Sequence, residues 1–110
     1  MNIGHFSVAD DWVYESPALS GIHDECWYKR VTGLIDRGGL RSNDHDINLT
    51  KRYQHGYSNL WELTFQHSIF KEEYFRMYGN NAALFFKDID DAKREVDSFL
   101  FKLSKLICLV

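Results

Sequence analysis

One segment constrains this chain more than any other. From Ile89 onward the apolar residues fall at Ile89, Ala92, Val96, Phe99, Leu100, Leu103, Leu106, Ile107 and Val110. At 100° per residue they form one stripe about 120° wide. Asp90, Asp91, Arg94, Glu95, Asp97, Lys102 and Lys105 avoid it. Asp88 stands where an N-cap belongs, acids open the segment and lysines close it, as the helix dipole favours. The spacing predicts a long amphipathic helix, which must bury its stripe against something. Phe101 and Leu109 point away from that stripe.

The partner layer is sought upstream. Trp61, Leu63 and Phe65 alternate with Glu62, Thr64 and Gln66, the pattern of a half-buried strand. Ala82–Phe86 is a short apolar run that feeds the closing helix as a strand. Between them, residues 73–78 read as a strand paired around Gly79-Asn80-Asn81, since those turn residues tolerate positive φ. The same residues also fit a helix from Ser68 through Phe70, Tyr74 and Met77 to a Gly79 stop; the turn chemistry favours the hairpin.

In the N-terminal half, Trp27, Val31, Leu34 and Ile35 recur at helical spacing after the Ser16-Pro17 pair and before Gly38-Gly39. This predicts an N-terminal-half helix, starting near His23 because Gly21 weakens its first part. Phe6–Val8 and Trp12–Tyr14 read as short strands. Residues 38–52 are polar, without sustained periodicity, and read as a long loop. The fold class expected is therefore α+β: a small antiparallel sheet, built from about residues 60–87, packed against the C-terminal helix and the N-terminal-half helix. The 110 residues suffice for one globular domain spanning 1–110. The strand-then-helix ending, 82–103, looks like the closing unit of many ferredoxin-like small domains. That likeness is generic and implies no activity.

Charge and chemistry narrow the function. With 13 basic against 16 acidic residues, the chain lacks the basic excess of a duplex-DNA binder or of a polybasic membrane-surface protein. No run is long enough to span a membrane and no leader pattern opens the sequence. Cys26 and Cys108 give no disulfide framework, so both are expected as free thiols in a cytoplasmic protein. His23 and Cys26, three apart on a helix, would share a side and could begin a zinc site, but no second closely spaced pair completes one. No metal or other cofactor is expected. Lys51-Arg52-Tyr53-Gln54-His55-Gly56-Tyr57 interleaves cations with rings, as single-strand binders do; an exposed strand edge explains it equally.

Aromatic residues are abundant, with eight Phe, six Tyr and three Trp, and rings supply contact area at low entropy cost. A compact acidic domain rich in rings and without a catalytic signature is similar in profile to small inhibitors, immunity proteins and phage counter-defence proteins. The expected function is a non-enzymatic protein-binding module that occludes a partner of basic character. Its surface would draw on Asp44, His45, Asp46, Tyr53, Tyr57, Phe101 and Leu109. Phe101 and Leu109 also make a second copy of the chain a candidate partner, as a homodimer. The competing expectation is a small enzyme or nucleic-acid-processing factor using the histidine and carboxylates of 23–26 and 44–46.

Overall fold

The structure is a computed structural model describing residues 2–3, 6–16, 25–36, 39–51 and 60–108; side chains are placed for 7–16, 25–32, 47–51 and 60–106. The elements in chain order are β1 (Asn2–Ile3), β2 (Phe6–Val8), β3 (Val13–Glu15), β4 (Glu25–Asp36), β5 (Gly39–Lys51), β6 (Trp61–Phe65), α1 (Ser68–Tyr78), β7 (Phe85–Phe86) and α2 (Ile89–Cys108). The arrangement is α+β. Seven strands among the described residues form one antiparallel sheet, ordered β1-β2-β4-β5-β6-β7. β2 and β3 share one edge of β4, with Val8 opposite Val31 and Tyr14 opposite Trp27.

The closing helix forms as its periodicity requires. The Asp88 carboxylate accepts the Asp90 N–H at 2.7 Å, and the Asp88 carbonyl accepts the Ala92 N–H at 3.1 Å. Ala92, Val96, Phe99, Leu100 and Leu103 are buried. They meet Val8, Val31, Ile47, Leu49, Trp61 and Leu63 from one face of the sheet and Phe70 and Tyr74 from α1. The stripe does not stay covered to its end. Leu106 is 54% exposed, although its helical angle lies beside that of Phe99.

Four expectations are corrected. The N-terminal-half helix is strand β4: Cys26, Trp27, Tyr28, Val31 and Thr32 are β-branched, aromatic or small apolar residues that suit a pleated surface. Within the loop expected over 38–52, Gly39–Lys51 form β5, paired with β4 from Glu25↔Lys51 to Asp36↔Gly39. Residues 73–78 belong to helix α1, which leaves the sheet resting chiefly on β4, β5 and β6 rather than on residues 60–87. The strand expected over Ala82–Phe86 shrinks to Phe85–Phe86, beside Glu62 and Trp61. The strand expected at Phe6–Val8 is β2, that expected at Trp12–Tyr14 is β3 shifted by one residue to Val13–Glu15, and the alternating strand expected over 60–66 is β6 (Trp61–Phe65).

Helix α1 explains the Gly79 turn differently from a hairpin. The His67 Nδ1 caps its start by accepting the Ile69 N–H at 3.2 Å. Gly79 ends it at φ 77° and ψ −169°, a backbone region essentially reserved for glycine, while its N–H reaches the Phe75 carbonyl. Tyr74, four residues after Phe70 on the buried face, donates its hydroxyl to the Ala83 carbonyl at 2.5 Å. This bond fastens the chain after α1 to the helix. Burial, then the Glu95 carboxylate and Tyr78, push the Tyr74 phenol up to about 12 from its usual value of 10.0. The folded state therefore holds this proton more tightly than the unfolded chain does. Its contribution to stability is whole below about pH 10 and lost between about pH 10 and 12. Denaturant titrations across that interval should show a steeper alkaline loss for the wild type than for Tyr74→Phe; parallel curves would refute the assignment.

Candidate functional site

The chemistry-bearing side chains gather along one seam, where β3 and β4 meet the flank of α2. Alternation in β4 sends Trp27, Lys29 and Val31 to the same face. On α2, Lys93 and Asp97 are four residues apart and share the side next to that strand. Each of two tryptophans carries an ammonium on its ring. Lys93 Nζ lies 3.2 Å from the Trp27 ring centroid, and Lys29 Nζ lies 5.1 Å from that of Trp12.

At the inner end of the seam, Lys29 is only 3% exposed. Its ammonium donates to the carbonyls of Ala9 at 3.0 Å and Asp10 at 2.6 Å, and pairs with Asp97 Oδ1 at 3.3 Å. An ammonium has three donors, and here each finds an oxygen. The Trp12 indole N–H also donates to the Asp97 carboxylate, 3.3 Å from both oxygens. A cavity of about 110 Å³ adjoins the cluster, lined by Val8, Ala9, Asp10, Lys29, Asp97 and Leu100. The arrangement ties the 9–12 segment, the sheet and α2 together.

At the outer end, Tyr14 is 43% exposed and its ring lies 5.0 Å from that of Trp27, tilted by 56°. The Tyr14 hydroxyl donates to Glu25 Oε1 at 2.9 Å. That bond is the first cause holding the phenol above its usual value, followed by desolvation and the nearby negative charge. The Tyr14 ring is thus exposed yet fixed in place against a half-buried Trp27. A third pair, Lys51 Nζ 5.7 Å from the Trp61 centroid, continues the pattern across the sheet.

The residues expected to form a partner surface are dispersed. Asp44, His45 and Asp46 lie within β5 rather than a loop. Register runs from Lys29↔Ile47 to Val31↔Asn43, so these three face the single residue Arg30, which makes them a β-bulge. Phe101 is on α2, 51% exposed, with the Lys105 ammonium 4.6 Å from its ring centroid. Tyr53, Tyr57 and Leu109 lie outside the described residues, as does His23. Cys26 is on a strand rather than a helix. Its thiol contacts the Trp27 carbonyl at 3.7 Å, Asn48 Oδ1 at 4.0 Å and the Thr50 hydroxyl at 3.8 Å. Burial pushes this thiol up, against a smaller lowering by Thr50, which disfavours the reactive thiolate. Among the described residues, no three metal-ligating side chains converge, and no helix is long and apolar enough to cross a membrane.

Sequence reasoning missed the seam. Its one legible sign is a lysine, Lys29, placed between Trp27 and Val31 at period two. Comparison with known protein families, with characterised proteins and with solved structures returns no match to this chain.

Proposed function

We propose that this chain is a non-enzymatic protein-binding module of the small-inhibitor kind, which acts by occluding its partner. The observation that carries the reading is the outer end of the seam, where the partly exposed Tyr14 ring is fixed against Trp27 and oriented by Glu25. Tyrosine and tryptophan are the residues that most often dominate binding energy at interfaces. Rings already held in one geometry lose little further freedom on docking, which leaves more of the contact energy as affinity. Phe85 and Phe101 add exposed apolar area on β7 and α2. The free thiol of Cys26 is compatible with a cytoplasmic setting.

The test is quantitative capture. Immobilised chain is used to isolate a partner from the native host, and the purified partner is then titrated against wild type and variants. Tyr14→Ala is expected to weaken binding about tenfold or more, with the unfolding midpoint unchanged. A partner bound equally well by Tyr14→Ala removes this surface from the reading. Turnover of the captured partner, or of its ligand, would replace the binder with an enzyme.

A further inference from the structure

The Trp27 ring, the Tyr14 ring and the Glu25 carboxylate adjoin one another at one corner of the sheet, where the Trp27 face offers a seat for a positive charge. The two rings are tilted by 56° with centroids 5.0 Å apart, and Glu25 is held beside them by the Tyr14 hydroxyl. A cation over an indole face within about 6 Å is attracted by the ring quadrupole, more strongly when partly desolvated. The Trp27 face of this corner is already covered by the chain itself, because Lys93 Nζ sits 3.2 Å from that ring's centroid. One turn away on its own helix stand Ile89, Asp90, Val96 and Asp97. Asp97 is engaged by Lys29 and Trp12, and among the described residues no ion pair joins Lys93 to Asp90.

We propose that this corner recognises one cationic side chain of the partner, a lysine or arginine, and that Lys93 occupies the seat in the free protein as an internal surrogate. The proposal rests on the protein-binding reading and names the chemistry of the group received. Charge complementarity supports it: Glu25 borders the seat, Glu15 stands close enough to raise the Cys26 thiol, and the chain carries a net charge of −3. Lys93 stands on an α-helix, so its flexible stem can swing to solvent without disturbing the backbone. Exchange of one ammonium for another would make docking selective for a basic residue at that point.

The experiment follows the three tryptophan indole N–H signals by nuclear magnetic resonance, with the Trp27 signal assigned through Trp27→Phe. Tetramethylammonium chloride and Nα-acetyl-lysine amide are each titrated against sodium chloride at matched ionic strength. The Trp27 signal should move saturably in both titrations, with Trp12 and Trp61 nearly still. Lys93→Ala, which keeps a good helix former, should tighten both by about fivefold, the factor expected if Lys93 covers the ring about four-fifths of the time. Tyr14→Ala should abolish saturation. Lys93→Gln, which loses only the charge, should move affinity in the same direction as Lys93→Ala. Equal shifts at all three indoles, or unchanged affinity in both Lys93 variants, would overturn the seat. Partner capture that still depends on Tyr14 would then leave the binding reading standing, whereas loss of that dependence alone would remove the binding reading and keep the cation seat.

Discussion

Replacing Phe99 by alanine is expected to cost about 3–5 kcal/mol, the largest single-site loss in the core. Phe99 is fully buried in the middle of the α2 stripe. Its ring lies 5.2 Å from Tyr74 at an interplanar angle of 85°, 5.9 Å from Phe65 and 6.4 Å from Tyr78. One side chain therefore joins α2, strand β6 and α1. Edge-to-face pairs add about 0.5–1.5 kcal/mol beyond the area they bury, and rings packed on three sides cannot collapse into the space an alanine leaves. A domain of this size has about 5–15 kcal/mol in all, so most of the margin could be lost. Thermal unfolding should show the midpoint falling by roughly 15–25 °C. Phe99→Leu, which keeps most of the volume, should lose less than half as much. Equal losses for the two variants would show that ring geometry, not volume, governs the site. A loss under about 1 kcal/mol would mean that Phe99 is not the junction described here.

The elements legible in the sequence were those whose burial follows one period without interruption. The closing helix alternates faces cleanly for five buried positions, and β6 alternates over its whole length, so both read correctly. Strand β4 was hidden by the residue that matters most to its packing. Its core face reads Trp27, Lys29, Val31, and a lysine in the middle destroys the apolar alternation that marks a strand. Trp27, Val31, Leu34 and Ile35 were left to imitate a helix. The shift of register between Val31 and Leu34 removes any period beyond that point. Strand β5 was hidden by the Asp44–Asp46 bulge, which replaces alternation with a polar run, and only its end at Ile47, Leu49 and Lys51 keeps the pattern. Both strands owe their state to pairing with each other, a non-local effect that local propensity does not report. At α1 the opposite error arose. Gly79 signals a turn equally well as a helix C-terminus or as a hairpin, and only the buried Phe70–Tyr74 pair at i and i+4 distinguishes them. The Tyr14–Trp27–Lys93 corner was illegible because its three parts come from β3, β4 and α2.

The same hidden lysine yields the second large effect. Lys29→Met keeps the length and apolar stem of the side chain but removes the charge, and is expected to cost about 3 kcal/mol. Two carbonyls, at Ala9 and Asp10, lose their donor, and Asp97 loses its nearest cation. The loss is bounded on both sides. Asp97 is 49% exposed, so water can take over part of its solvation. The adjoining cavity of about 110 Å³ can admit a water to the two carbonyls. Asp97→Ala acts from the other end. It removes the carboxylate that pairs with a buried ammonium and frees the Trp12 indole, for an expected cost of about 2 kcal/mol. If the two residues act on each other, the double variant must cost less than the two single losses combined, by about 1 kcal/mol or more. Denaturant titration of the four proteins measures this directly, and strict additivity would dissolve the pair. Hydrogen exchange adds where the loss falls. The Ala9 N–H, bonded to the Arg30 carbonyl at 2.9 Å, should exchange faster in Lys29→Met than the global loss of stability accounts for. That would show the 9–12 segment detaching from β4 ahead of the core, as the three-oxygen grip of one buried ammonium requires.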